Sequence, residues 1–217
     1  MKSHLRNRIS KYKNNLNYNF FFKRMIYKEL KTINDKIIMS EIGTGYGDSS
    51  TIAIYKQLRK LKNDFSLICF EPEKEIFKIA KNNTKLLINT VIFNKYFLSS
   101  NSVDFLLTNV NKYIHDDELL VRIKKMYIMI NPDELIKIDN VEIPNIVFID
   151  SIRYSHFAII KTLTEFNKDI KVIMEDDIPG FGELKIIQKH FSIRNIKYYR
   201  CFPHQWPFVA FNLISKV

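Results

Sequence analysis

Apolar residues recur along this chain in two rhythms, short continuous runs and longer stretches in which they return every three or four positions. The runs read as buried strands: Lys36 to Ile42, Phe65 to Phe70, Val91 to Phe97, Asn145 to Asp150, Lys171 to Glu175, Ile196 to Phe202 and Phe208 to Ser215. Helical spacing falls between them, in Ile52, Tyr55, Leu58 and Leu61, after Pro72, across Asp104 to Ile130, after Asp150, and over Glu183 to His190. Residues 1 to 35 read as one or two helices, with Phe20, Phe21, Met25, Ile26 and Leu30 able to pack back onto the core. Residues 131 to 144 are turn-rich and predict an excursion before the fourth strand. The last two strands are joined by the short segment PHQWP, which has no room for a crossover helix, so they should be antiparallel. The expected fold is α/β: a mixed seven-stranded sheet, mostly parallel, with an antiparallel last strand and helices on both faces. The chain divides into a basic helical cap segment, 1–35, and the sheet domain, 36–217.

The most informative stretch is KIIMSEIGTGYGDSSTIAIYKQLRKL, Lys36 to Leu61, which reads as strand, glycine loop and helix. A loop of Gly43, Gly45 and Gly47 can bend sharply and let its backbone approach a ligand. A dinucleotide fold wants G-x-G-x-x-G with a pyrophosphate on the helix N-terminus. Here the third glycine comes one residue early and Asp48 takes its place, where a carboxylate competes with phosphate for the same amides and dipole. The spacing therefore favours a phosphate-free ligand. E-I-G-T-G-Y-G resembles motif I of the class I S-adenosylmethionine (SAM)-dependent methyltransferases. That resemblance implies a Rossmann-like SAM domain with Glu41, Gly43, Gly45 and Gly47 at the cofactor.

Glu71 ends the second strand, where α/β sheets place ligands, and its carboxylate can accept both ribose hydroxyl hydrogens. FEPEKEIFKIAKNN also looks like the corresponding methyltransferase motif, in which this acid holds the ribose. Ser99 and Ser100, after the third strand, fall where adenine contacts are expected.

Composition narrows the setting. The chain has 217 residues, 46% of them hydrophobic, which suits one domain with a full core. No apolar run approaches the ~20 residues of a membrane span. Cys69 and Cys201 offer neither a disulfide framework nor metal spacing, and a reduced, cytoplasmic protein is expected. The net charge of +11 is uneven: residues 1 to 31 hold nine cations against the single acid Glu29, a local +8. Such a segment suits either a solvated helix or an electrostatic footprint for nucleic acid or anionic lipid.

A second cluster carries the candidate chemistry. Asp150 ends the fourth strand, and Asp176 and Asp177 follow the fifth. If those strands are neighbours, the three carboxylates converge, and oxygen-only ligands favour a hard cation such as Mg²⁺ over zinc. FID before a turn and helix, then EDD before Pro179-Gly180, resembles the metal-ligand pattern of the catechol O-methyltransferase-like and macrocin-type O-methyltransferases. The resemblance implies Asp150, Asp176 and Asp177 as ligands of an ion that binds an acceptor hydroxyl, lowers its pKa and orients it. It also departs from the pattern. The catechol enzymes carry a lysine base three residues after the strand-four aspartate, and this chain has Arg153, which stays protonated and suits orienting an acidic substrate. Ser151, Ile152 and Tyr154 stand where macrocin-type enzymes carry another acid or histidine, and His156 is the nearest proton acceptor. His204 and Trp206, between prolines, fit either a pocket wall or packing under the sheet edge.

These signals point to a SAM-dependent, metal-assisted O-methyltransferase of a small hydroxylated molecule such as a sugar or secondary metabolite, with a homodimer possible. Two alternatives remain. One is an RNA methyltransferase using the basic arm, although neither a D/N-P-P-[YFW] tetrapeptide nor a catalytic cysteine pair is present. The other is a catalytically inactive SAM-binding partner protein, for which Arg153 in the base position speaks.

Overall fold

The computed structural model of the chain describes residues 16–61, 63–109, 117–151, 155–175, 183–201 and 206–215. Seven strands, β1 (Ile37–Ile42), β2 (Phe65–Phe70), β3 (Thr90–Phe93), β4 (Ile146–Ile149), β5 (Ile170–Glu175), β6 (Ile193–Cys201) and β7 (Trp206–Leu213), form one sheet in the order β3-β2-β1-β4-β5-β7-β6. The first five are parallel, and β7 runs antiparallel between β5 and β6. The order reverses between β1 and β4, so the switch point of the sheet opens at the carboxyl ends of those two strands, where such folds bind ligands.

The helices described are α1 (Leu16–Leu30), α2 (Ser50–Leu58), α3 (Lys74–Thr84), α4 (Ser100–Asn109), α5 (Asp117–Ile128), α6 (Ser155–Thr164) and α7 (Glu183–His190). Strand residues alternate between two cores, as the pleat requires. On one face, Ile37, Met39, Leu67, Phe148 and Ile173 pack against α1 and α2. On the other, Ile42, Ile68, Val147, Val172 and Met174 pack under α4, α5, α6 and α7. β4 is buried throughout and β1 at every position but Ile38, as strands covered on both faces should be.

The expected cap segment is, over residues 16–30, a helix of the outer layer. Phe22, Met25, Ile26, Glu29 and Leu30 are buried, a stripe at i, i+3, i+4, i+7 and i+8. Phe22 sits edge-on to Phe148, 5.2 Å between ring centres, and tilted on Phe208 at 5.7 Å. Phe20, expected inside, is 69% exposed because helical rotation carries it to the opposite face. Glu29 is nonetheless the stripe's charged member. Lys171 and Lys197 reach it at 3.1 Å each, and the Tyr199 hydroxyl donates to it. Burial alone would push this carboxyl up, but Tyr199, Lys197 and Lys171 outweigh it and hold Glu29 below the usual carboxylate range. Four side chains thus fasten α1 to β5 and β6.

Other boundaries moved for local reasons. In α2 the buried side chains are Ser50, Thr51, Ala53, Ile54, Gln57 and Leu58, so the inward face is rotated from the one expected through Ile52 and Tyr55. β3 stops at Phe93 because the Asn94 side chain ties back to the Glu71 and Pro72 carbonyls, and Tyr96 then bridges to Leu135. That bridge is also why the 131–144 excursion, with its two short 3₁₀ turns, buries Leu135 and Ile136. The single helical stretch expected over 104–130 is divided into α4 and α5. In β6, two residues are passed over opposite one in β7 between Arg194 and Lys197, a bulge built on Asn195 in the left-handed conformation.

Candidate cofactor crevice at the switch point

The glycine loop leaves β1 and is anchored on β2 before it turns into α2. The amides of Gly43 and Thr44 both donate to the Phe70 carbonyl, at 3.1 and 3.2 Å. Gly43 has φ +88°, and a Cβ there would stand 1.9 Å from the Asp150 carbonyl oxygen. Glycine is therefore demanded twice, by conformation and by the closeness of β4. Gly45 differs. At φ +59° its missing Cβ would meet nothing within 4 Å, so the loop presents a bare backbone face to open space. Gly47 turns toward α3, against Ala80 and Thr84.

Glu71 closes the other side. It is 6% exposed, and its two carboxylate oxygens accept different amides, Gly45 N–H at 2.9 Å and Glu73 N–H at 2.9 Å. Burial pushes this carboxyl above the usual glutamate range, and Glu73 adds to the rise, while the two amides oppose it. Each oxygen retains acceptor capacity beyond its one amide bond. Glu71 thus couples the loop to the turn before α3 and remains able to take donors from a ligand.

The other expected cofactor residues take different positions. Glu41 has no exposed surface; it lies beneath the loop, where its carboxylate accepts the Thr51 hydroxyl at 2.6 Å and faces Cys69. Ser99 is buried and caps α4, its hydroxyl accepting from the Ser102 amide and donating to Glu165, while its own amide donates to Thr162. Its polar groups are thereby engaged in holding α4 on α6.

Among the candidate chemical groups, Asp150 is half-buried at the end of β4, with its amide on the Ile42 carbonyl at 2.8 Å, so it borders the crevice beside Gly43. β4 and β5 are hydrogen-bonded neighbours, Ile149 opposite Met174, as the convergence of the acids requires. Asp176, Asp177, Arg153 and His204 lie outside the described residues, and of Trp206 only the backbone at the start of β7 is described. His156 is buried in the first turn of α6, 3% exposed. Among the described residues no group of three His, Cys, Asp or Glu gathers to hold a metal ion.

Two contributors escaped sequence reading. The Asn94 side chain donates to the Glu71 and Pro72 carbonyls, and burial raises the Tyr96 hydroxyl pKa, with Glu134, Glu71 and Glu73 adding to the rise. Their only sequence signal was position, just past the third strand. Among the described residues, Glu71 and Asp150 place two carboxylates at the rim of the crevice.

No protein-family model matches the chain, and no curated protein matches it. Solved structures do match in fold. A SAM-dependent methyltransferase from Aquifex aeolicus aligns with a TM-score of 0.53 and 12% identity, covering 96% of this chain and 98% of that one. Magnesium protoporphyrin IX methyltransferase from Synechocystis PCC 6803, solved with bound SAM, gives 0.52 and 8% identity over 92% of this chain and 81% of its own. A ribosomal protein methylase from Lactobacillus delbrueckii subsp. bulgaricus gives 0.50 and 12% identity over 89% and 78%. The strand order, the antiparallel β7 and these neighbours agree on one conclusion: the chain has the fold of the class I SAM-dependent methyltransferases.

Proposed function

We propose that the chain binds SAM at the switch point and transfers its methyl group to a hydroxyl of an acceptor. The observation that carries this reading is the Gly45–Glu71 pair. A bare loop backbone with open space in front of it faces a carboxylate anchored by two amides, and both sit at the ends of adjacent strands. Glu71 is suited to receive the ribose hydroxyls, and Glu41, with Thr51, to support the loop from below. When bound, SAM supplies a sulfonium-activated methyl group. Asp150, bordering the same crevice, belongs to the acceptor side.

The hydroxyl acceptor and the metal rest on the resemblance of FID and EDD to the catechol and macrocin-type enzymes. In that reading Asp150, Asp176 and Asp177 would hold Mg²⁺, which lowers the pKa of a bound hydroxyl. Arg153 would orient the acceptor, and the base would be His156. A small hydroxylated metabolite fits this assignment. An RNA acceptor is the second reading, favoured by the cations Arg24, Lys28 and Lys31 and the aromatic rings beside them on α1.

Thermal shift with SAM, S-adenosylhomocysteine and NAD⁺, each with and without Mg²⁺, tests the proposal, because a ligand specific to the folded state raises the melting temperature. S-adenosylhomocysteine is expected to raise it and Glu71→Ala to abolish the effect. Stabilisation by NAD⁺ alone would refute the proposal. Cofactor binding without turnover on any acceptor would favour a partner protein without chemistry of its own.

A further inference from the structure

The outward face of α1 carries a charge pattern that helix packing does not require. Opposite the buried stripe stand Phe20, Arg24, Tyr27 and Lys28, followed by Lys31, all exposed. Between α1 and β6 lies a groove of ≈ 490 Å³ lined by Phe21, Arg24, Tyr27, Lys28, Lys31 and Tyr199, together with Met25. Among the described residues, three cations and three aromatic rings line it and no carboxylate does. Arg24, Lys28 and Lys31 have no ion-pair partner among the described residues, and Lys28 instead rests 5.6 Å from the centre of the Tyr199 ring. The nearest acid on the helix, Glu29, points inward and is already matched by Lys171 and Lys197.

An ordinary solvated helix face mixes both signs of charge. A concave surface of cations and aromatic rings, with Tyr27 exposed and no acid among the described residues, complements a ligand that is both polyanionic and aromatic. We infer that this groove binds single-stranded nucleic acid, with phosphates on Arg24, Lys28 and Lys31 and a base stacked against Tyr27. An anionic membrane surface would satisfy the cations and take up Phe20, yet a flat bilayer does not reach rings set in a groove between α1 and β6, as a stacked base can. The groove is at the β6 edge of the sheet, four strand spacings from β1, on the order of 19 Å from the cofactor crevice. Binding in this groove does not depend on the cofactor.

The test measures fluorescence anisotropy of a labelled oligouridylate with the full chain, without cofactor, across a range of salt concentrations. Wild type should bind, with the logarithm of affinity falling as salt rises. R24Q/K28Q/K31Q should bind at least tenfold more weakly and show a salt slope shallower by about 2, since each lost phosphate contact on a single strand removes about 0.7. Tyr27→Ala should weaken binding by about tenfold while leaving the slope unchanged, as loss of stacking does. All four positions are exposed or lie at the groove surface, and unchanged melting temperatures verify folding. Absence of oligonucleotide binding by wild type, wild-type affinity and slope in the triple variant, or preferential binding to vesicles of phosphatidylserine and phosphatidylcholine would each overturn the inference. Because no cofactor is present, none of these results depends on the SAM reading.

Discussion

Gly43 and Gly45 stand two residues apart in one loop, and the structure separates their roles. Alanine at 43 would drive its Cβ into the Asp150 carbonyl at 1.9 Å, so Gly43→Ala should destabilise the fold by several kcal/mol, read by chemical denaturation. Alanine at 45 meets only conformational strain, about 1 kcal/mol, but its methyl would project into the space left for ligand. Gly45→Ala should therefore keep most stability and lose tenfold or more in S-adenosylhomocysteine affinity by calorimetry. Glu71 makes a separate prediction about pH. Its carboxyl titrates above the usual glutamate range, and only the ionised form can accept both ribose hydroxyls. Cofactor affinity should thus weaken on acidification at a higher pH than an ordinary glutamate would dictate, and Glu71→Gln should bind weakly with no such dependence. The three glycines and Glu71 were legible because each is dictated by backbone geometry or strand ends. The engagement of Ser99 with Thr162 and Glu165 was not, because those partners lie more than sixty residues away.

At the level of elements, α1 shows how a charged residue can belong to a hydrophobic stripe. Phe22→Ala should remove its contacts with Phe148 and Phe208 and cost about 3 to 5 kcal/mol. Glu29→Gln leaves Lys171 and Lys197 without their counter-charge, but both retain some exposure, so a cost of about 2 kcal/mol is expected. The pH dependence has a definite sign. Glu29 titrates below its unfolded value, so its stabilisation is present above the ordinary glutamate pKa and is lost as pH falls through the lowered one. The stability difference between wild type and Glu29→Gln should accordingly shrink in acid, as measured by urea unfolding at pH 7 and below pH 4. Periodicity alone located the strands, most within a few residues, since a sheet covered on both faces must be apolar throughout. It misplaced Phe20, because apolar residues in α1 outnumber the positions one helix face can bury, and the inward face of α2, because polar Ser50, Thr51 and Gln57 take buried positions there.

For the whole molecule, the packing of α1 into the layer over β4 and β7 joins this basic helix to the main core. Unfolding followed by far-UV circular dichroism and by fluorescence of the single tryptophan, Trp206 at the start of β7, should give coincident transitions. A separate early transition in the dichroism alone would mean that α1 melts independently. Global charge was readable from composition, while its separation into an inward acid and an outward cationic groove required knowing which way the helix faces.

The irregularity at Asn195 bears on how copies of the chain avoid one another. β6 ends the sheet, and an unbroken, flat nine-residue border would offer its free amides and carbonyls to any passing strand. The extra residue, together with Arg194 and Lys197 beside it, coils and charges that border. Deleting Asn195 would straighten it, and light scattering of the refolded variant at raised concentration should reveal self-association that the parent chain resists.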